Sequence, residues 1–234
     1  AYGTAVAQTS GVPLPLAWAT GSLTCALFAA LLGLAILHLR GHYFAIASLV
    51  VADVLREIIN SWTALTGGGM GINLPLVGGS VEAQAQFYFW IMAGLAVLAL
   101  AITLVVDRSR LGVALSCIAQ NEDAAQIIGV DTRRAKVWAF SLSGALAGAT
   151  GGIYASWVTY LDPTDVFDVS LAVKPILMTL LGGAGTVFGP VMGAFIFLGL
   201  EELLWRNLLS FHAGLLGLMV VALVLFLPDG PRLT

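Results

Sequence analysis

The chain has 234 residues, of which 59% are hydrophobic and 10% are charged. Because a soluble domain carries roughly 25% charged residues, this composition excludes an ordinary soluble protein and predicts one that lies in a bilayer. The net charge of -3 excludes little by itself. The orientation of a membrane protein depends instead on where its Lys and Arg residues lie.

Apolar runs long enough to cross a hydrocarbon core of about 30 Å recur along the chain. Four are uninterrupted, at residues 14–39, 87–106, 137–160 and 208–227. Two more are interrupted, by charged residues within 43–62 and by the glycine-rich segment 182–190 within 169–204. These six spanning or half-spanning elements predict an all-α, polytopic transmembrane helical bundle with interrupted helices.

The beginning of the chain lacks the features of a signal peptide. Residues 1–20 have neither a basic n-region nor a cleavage site, and the chain begins at Ala1. We expect this segment to be the end of an earlier helix and the N-terminal helices of the full-length protein to be absent. Because no linker divides the chain, residues 1–234 are predicted to form a single transmembrane domain.

The distribution of basic residues predicts the orientation of the helices. The loop at residues 107–136 contains five of them: Arg108, Arg110, Arg133, Arg134 and Lys136. Counting helices outward from this loop puts Arg40 and Arg232 on the same side. The opposite side receives Arg206 together with four acidic residues: Glu82, Asp162, Asp165 and Asp168. The positive-inside rule therefore predicts that the loop is cytoplasmic.

Polar residues interrupt the apolar segment 43–62. Asp53, Arg56, Glu57 and Asn60 fall at i, i+3, i+4 and i+7, which places them on one helical face. Because charges inside a membrane are costly, this face must meet protein, water or the interface. Local pairing of Asp53 with Arg56 is the favoured interpretation, and a polar lining of a translocation path is the alternative.

Two glycine clusters, at residues 66–71 and 181–185, lie beside short or interrupted apolar segments. The segment 169–181 is too short to span comfortably at about 1.5 Å per residue. The break that follows it is either part of a midplane substrate site or a tight turn at the surface. Upstream, Lys174 and Pro175 predict a kink and a charge that extends to the interface.

A third glycine pattern lies in the segment 137–160. Gly144, Gly148 and Gly152 are four residues apart, a spacing that lets another helix backbone approach closely in a membrane. We therefore assign these glycines to helix packing. A substrate groove along the same stripe is the alternative.

The sequence contains few patterns that indicate catalysis. No glycine-rich run ends in Gly-Lys-Ser or Gly-Lys-Thr, so the chain is not expected to bind or hydrolyse ATP. Neither Cys25 nor Cys117 has a metal-ligand neighbour, so no metal site is expected. Ser143, with His212 as the only histidine downstream, leaves an intramembrane hydrolase as the least favoured alternative.

The polar segment 110–130 predicts short amphipathic helices along the membrane surface. Residues 121–125 fall at a break between them. Acidic residues there suit a helix N-terminus, alanines allow close approach, and Gly129 can end the second helix. These properties suit a knob that docks into a partner, and an ordinary solvated loop is the alternative.

The spacing of Glu122-Asp-Ala-Ala125 and Gly129, with three residues between, resembles the EAA loop of ABC importer permeases, which docks on the ATP-binding subunit. Other stretches are similar to the branched-chain amino-acid permease family, in particular its LivM-type branch. They are residues 39–45, Thr66-Gly-Gly with Gly71 and Pro75, Ala139-Phe-Ser with Ala147-Gly148, and residues 181–186 with Gly189-Pro190. The resemblance extends over residues 1–228, and family members usually begin with further helices.

The resemblance implies roles for two groups of residues. The loop 107–136 becomes a cytoplasmic coupling loop with a coupling helix, whose ATPase contacts are Asn121, Glu122, Asp123, Ala124, Ala125 and Gly129. Substrate passage at the interface with a second, similar permease makes a further set candidates for the translocation path. Together with Asp53 and Arg56 of the polar face, the candidates for the translocation path are Tyr43, Phe44, Thr66, Gly67, Gly68, Gly182, Gly183 and Gly185.

The resemblance also implies an ATP-driven importer in the bacterial cytoplasmic membrane. Its partners would be a homologous second permease, two ATP-binding cassette ATPase subunits that bind ATP and Mg, and an extracytoplasmic solute-binding protein. The chain itself would have no cofactor and no nucleic-acid partner, and its substrate would be a branched-chain amino acid, urea, a short amide or an aromatic acid. From the residues alone, a stand-alone channel or ion-coupled secondary transporter for a small solute is the alternative.

Overall fold

The computed structural model describes residues 1–37, 39, 42–75, 78 and 80–207. The predicted span at 208–227, with His212 and Arg232, lies outside the described residues, as do Arg40 and the side chain of Arg206. Helices dominate the described part of the chain, which confirms the all-α prediction. Two of these helices are long and apolar enough to cross a membrane by length and composition, Leu14–Ile36 and Val81–Asp107.

The helices follow the predicted order closely. They are α1 (Tyr2–Thr9), α2 (Leu14–Ile36), α3 (His42–Ser61), α4 (Thr63–Thr66), α5 (Val81–Asp107), α6 (Arg110–Gln120), α7 (Glu122–Ile127), α8 (Thr132–Val158), α9 (Pro163–Val166), α10 (Val169–Gly182) and α11 (Gly189–Asn207). The predicted break at residues 182–190 is confirmed, because α10 ends and α11 begins there. That the segment 137–160, most of which lies in α8, crosses a membrane stays a prediction.

The chain divides into two compact units, Ala1–Phe167 and Asp168–Thr234. The prediction of a single domain stays a prediction. In the first unit, α2 and α8 pack along each other at their glycines. A Cβ atom built on Gly144 would lie 2.5 Å from Cβ of Ala29, and one on Gly148 would lie 2.6 Å from Cβ of Cys25. Since real Cβ atoms do not approach so closely, only glycine permits this helix contact.

A buried serine joins four helices at one end of the first unit, through its hydroxyl and its carbonyl oxygen. Ser156 of α8 is 3% exposed, and its Oγ accepts hydrogen bonds from Gln8 Nε2 of α1 at 2.6 Å and Trp18 Nε1 of α2 at 3.0 Å. Its carbonyl oxygen accepts from the hydroxyl of Tyr88 in α5 at 3.1 Å. Such satisfied polar networks fix the relative positions of helices in a low-dielectric interior.

A short two-stranded β-ribbon lies at the C-terminal end of α8. Strand β1 (Ile72–Asn73) pairs antiparallel with β2 (Tyr160–Leu161), with Ile72 opposite Leu161. Ile72 and Leu161 are buried with Ala5, Leu74 and Ala155 in one apolar cluster. The ribbon therefore ties the chain after α4 to the C-terminal end of α8.

The second unit contains an antiparallel helical hairpin of α10 and α11. A Cβ atom on Gly193 would lie 1.7 Å from the carbonyl oxygen of Met178, so the helices touch through backbone. Further from the turn, Leu177 and Phe197 are buried against each other. Residues earlier in α10 contact residues later in α11, as antiparallel packing requires.

An ion pair joins the two arms of the hairpin. Lys174 Nζ lies 2.7 Å from Glu201 Oε1, with both side chains partly buried. A carboxylate on the neighbouring helix therefore balances the charge of the Lys174 ammonium group. That Lys174 extends to the interface stays a prediction.

Candidate functional site: coupling surface and polar helix face

Local chemistry sets the beginning of α7. Asn121 takes an extended conformation after α6, and its Oδ1 accepts hydrogen bonds from the backbone N–H groups of Asp123 and Ala124 at 3.0 and 3.1 Å. This is a side-chain N-cap. Glu122 and Asp123 occupy the first turn, where negative charge is favoured by the helix dipole. Asn121 thus sets both the end of α6 and the beginning of α7.

The end of α7 depends on glycine. Gly129 has φ of +89°, a conformation that residues with a side chain rarely adopt. The turn is closed by a hydrogen bond from the Val130 N–H to the Ala125 carbonyl at 3.0 Å. Asp131 follows as the N-cap of α8, accepting from the Arg134 N–H at 3.0 Å. The whole segment between α6 and α8 is therefore ordered by its own backbone hydrogen bonds and by the capping side chains of Asn121 and Asp131.

Two residues of α7 face the protein. Glu122 Oε1 lies 2.5 Å from Nζ of Lys136 in α8, and the two side chains are 23% and 22% exposed. Ala125, one turn later on the same face, is 1% exposed. Gln126 Nε2 also donates to Thr132 Oγ1 at 3.1 Å. These contacts attach α7 to α8. Glu122 and Ala125 therefore hold α7 in its position.

The opposite face of α7 is open. Asp123, Ala124, Ile127 and Ile128 are exposed, and the two isoleucines reach 87% and 70%. We call these four residues the coupling surface. The sequence assignment missed Ile127 and Ile128, although a pair of isoleucines just before Gly129 is itself an unusual signal in a polar segment. The structure thus separates residues that position α7 from residues that a partner can touch.

The polar residues of α3 lie on a face that the described chain leaves uncovered. Asp53, Glu57 and Asn60 are exposed, and Arg56 is half-buried. Apolar residues of the same face are exposed as well, with Tyr43 at 75% and Ile46 at 59%. We call this the α3 face. Because carboxylates do not face hydrocarbon, it must meet polar groups or water.

The predicted local pair between Asp53 and Arg56 is absent. No ion pair joins Arg56 to Asp53 or Glu57 within the described ranges. Arg56 interacts electrostatically with Asp162, which precedes α9. Hydrogen bonds from the Thr164 hydroxyl and backbone N–H, and then the charge of Arg56, hold the pKa of the Asp162 carboxyl below its ordinary value. The prediction is wrong because the chain after α8 returns to α3, a long-range contact that the helical spacing does not contain.

Several other candidates for the path occupy structural positions. Thr66 is 5% exposed, and its hydroxyl lies 2.6 Å from the carbonyl oxygen of Ile59 and accepts from the Gly68 N–H at 3.3 Å. Gly67 and Gly68 have φ of +71° and +58°, as the reversal after α4 requires. These residues shape the backbone between α3 and β1.

The second glycine cluster forms the hairpin turn. A Cβ on Gly182 would lie 1.6 Å from the carbonyl oxygen of Gly189, so the turn admits only glycine there. Gly183 and Gly185 have φ of +99° and +92°.

Phe44, the remaining candidate, is half-buried near the beginning of α3. In the hydrolase alternative, Ser143 lies exposed on α8, and His212 is outside the described residues.

Comparisons with known proteins agree with the resemblance seen in the sequence. The family described as branched-chain amino acid transport system, permease component, matches residues 1–227. The high-affinity branched-chain amino acid transport system permease protein LivM of Escherichia coli strain K12 is 27% identical over 226 residues, covering 86% of this chain and 53% of that protein. LivH of Salmonella typhimurium is 27% identical over 194 residues, covering 74% of this chain and 61% of that protein.

A third relative is named for a different import system. The autoinducer 2 import system permease protein LsrC of Salmonella paratyphi B is 30% identical over 193 residues, covering 75% of this chain and 53% of that protein. The chain spans about half the length of the LivM and LsrC relatives, at 53% in each case. No solved structure matches it. Because the family match extends over nearly all of its length, the chain belongs to the permease components of branched-chain amino acid transport systems.

Proposed function

We propose that this chain is a transmembrane permease subunit of an ATP-driven importer in the bacterial cytoplasmic membrane. Its substrate is a branched-chain amino acid or a related small polar solute. Two relatives are named for branched-chain amino acid transport and one for autoinducer 2 import, which supports the coarse class of solute. ATP and Mg²⁺ are bound by partner ATPase subunits, and an extracytoplasmic binding protein delivers the solute.

The coupling surface is the observation that carries this proposal. An exposed apolar pair on a short, ordered helix suits a cleft in a soluble partner, because docking removes the isoleucines from water. The Glu122–Lys136 ion pair and the Gln126–Thr132 hydrogen bond connect α7 to α8. A movement of the ATPase pair that displaces α7 is therefore transmitted to α8, which packs along α2.

The α3 face supports the proposal of a second, homologous permease. Asp53 lies near the middle of α3, whose 20 residues extend about 30 Å. Carboxylates at that depth require donors from another subunit or an aqueous path. A stand-alone carrier is the less favoured function, because it gives no role to the coupling surface.

Reconstitution of the full complex tests the coupling role. Ile127→Asp and Ile128→Asp place a charge in the proposed contact, and we expect each to lower ATP-driven uptake by at least about ten-fold, as loss of an interface anchor does. Ser116→Asp is the matched control, since Ser116 is exposed on α6 and gains the same charge. Its uptake should stay near that of the wild type.

The amount of assembled complex is measured for every variant by size-exclusion chromatography. ATPase stimulation by solute-loaded binding protein is recorded beside uptake. If both isoleucine variants keep wild-type uptake and wild-type ATPase stimulation, the coupling surface does not couple ATP hydrolysis to transport.

A further inference from the structure

A groove of about 300 Å³ opens where the C-terminal end of α2 meets the first turns of α8. Two arginines and three apolar residues line it, namely Leu34, Arg133, Arg134, Val137 and Trp138. The groove lies outside the coupling surface and the α3 face. It combines a positive edge with an apolar wall.

Arg133 supplies the positive charge of this groove. Arg134 Nε is paired with Asp131 Oδ2 at 2.9 Å, so its charge is already balanced. Arg133 instead donates one hydrogen bond, from Nη2 to the carbonyl oxygen of Leu34 at 3.3 Å. A carbonyl carries no net charge, and no carboxylate pairs with Arg133 in the part of the chain that the structure describes. The guanidinium has five N–H donors, so it retains donors for an anion.

Helix packing builds the apolar wall. Val137 and Phe140 of α8 pack against α2 at Gly33, since a Cβ atom built there would lie in ordinary van der Waals contact, 3.5 Å, with each. Beside them Trp138 is 67% exposed and Leu34 is 47% exposed. Exposed Trp and Leu next to an arginine are what the boundary between acyl chains and headgroups favours.

The depth of the groove matches that boundary. The apolar part of α8 begins at Val137, so Arg133 lies about one turn before it. Arginine binds phosphate oxygens through two parallel N–H bonds. Basic pockets between helices at the cytoplasmic surface of a membrane bind anionic headgroups in this way.

We propose that the groove holds one anionic phospholipid of the cytoplasmic leaflet. Arg133 contacts its phosphate, and Leu34, Val137 and Trp138 contact the start of its acyl chains. The inference rests on the orientation in the proposed function, which places this end of α8 in the cytoplasm.

Native mass spectrometry of the purified full complex tests this site with phosphatidylglycerol and phosphatidylcholine as probes. We expect wild type to prefer phosphatidylglycerol, and Arg133→Gln to bind it about five-fold more weakly, the effect of one basic residue near an anionic surface. Arg133→Lys keeps the charge and should retain most of the binding. Arg108→Gln is the control, since it removes a charge from the same loop outside the groove, and it should change binding by less than about two-fold.

Equal binding of phosphatidylglycerol by Arg133→Gln and wild type would overturn the site. Displacement of the lipid by millimolar inorganic phosphate would also overturn it, because the groove would then be a site for soluble phosphate. Uptake is measured on the same preparations. A wild-type complex that selects phosphatidylglycerol through Arg133 but fails to transport would contradict the proposed function and leave the lipid site standing.

Discussion

Single residues separate positioning from contact in α7. Glu122 and Ala125 belong to the sequence motif that resembles a coupling loop, but their side chains face α8 and the protein interior. Ile127, the last residue of α7, and Ile128, which follows it, lie outside that set and are both largely exposed. Glu122 and Ala125 therefore hold α7 in place, and the proposed partner contact is left to Asp123, Ala124, Ile127 and Ile128.

A charge swap tests the positioning role of Glu122. Glu122→Lys and Lys136→Glu each place like charges at the site of a 2.5 Å ion pair, so each should lower coupled ATPase activity and uptake. The double variant restores opposite charges and should recover most of both. Failure of the double variant to improve on either single variant would show that Glu122 acts by direct contact with a partner.

Gly148 tests the contact between α2 and α8. Gly148→Leu puts atoms where the backbone and Cβ of α2 already lie, since even a Cβ would be 2.6 Å from Cys25 Cβ and 3.0 Å from the Gly21 carbonyl oxygen. We expect a loss of about 1–3 kcal/mol in the free energy of unfolding, the usual cost of overpacking. The measurement is thermal unfolding of the purified protein in detergent.

Gly94→Leu is the matched control for that experiment. Gly94 is also in a long helix, α5, but a Cβ there meets nothing within 4 Å. Its replacement should leave stability unchanged or raise it by up to about 1 kcal/mol through helix propensity. Equal destabilisation by both substitutions would contradict the assignment of Gly148 to close packing.

At the scale of elements, α3 differs from α2 and α8 because its polar face is uncovered in the described chain. Asp53 and Glu57 are exposed on a helix that is long enough to cross the bilayer. The α10–α11 hairpin shows the opposite case, because Lys174 and Glu201 pair between its own arms. The charges of Lys174 and Glu201 are thus paired within the hairpin, whereas the carboxylates of Asp53 and Glu57 are exposed in the described chain and are proposed to meet a second subunit or water.

Replacing both carboxylates tests the α3 face. Asp53→Leu with Glu57→Leu removes both carboxylates from the face, so recovery of the second permease or uptake should fall by at least about ten-fold. Asp53→Asn with Glu57→Gln keeps hydrogen-bonding groups and should retain more of both. The readouts are co-purification of the second permease and solute uptake by the reconstituted complex. Wild-type values for the Leu variant would show that the α3 face belongs neither to the subunit interface nor to the translocation path.

At the scale of the whole molecule, the proposed orientation predicts which segments are accessible from each side of the membrane. After Cys25 and Cys117 are replaced, Ile128→Cys should react with a membrane-impermeant maleimide only from the cytoplasmic side. Asp165→Cys, beyond the other end of α8, should react only from the opposite side. Labelling of intact cells and inverted vesicles measures both, and the reverse pattern would invalidate the cytoplasmic assignment of the coupling surface.

Local sequence signals located the ends of α7 and the break near Gly182, whereas the predicted segments 87–106 and 137–160 begin six and five residues after α5 and α8 do. Asn121 begins α7 and Gly129 ends it because capping and positive φ are properties of individual residues. The break near Gly182 follows from the same chemistry. Long-range pairs were not predictable, since nothing in the helical spacing at Arg56 indicates that Asp162, far along the chain, comes near it.

By itself, the sequence determined the all-α class, the order of the helices, the positions of the breaks and the family. These follow from hydropathy, backbone preferences and motif spacing, which act over a few residues. Only the tertiary structure decided that Glu122 is paired, that Ala125 is buried and that Ile127 and Ile128 are open to a partner. Exposure and pairing depend on which face of a helix meets a neighbouring helix. For α7 that neighbour is α8, whose Lys136 pairs with Glu122.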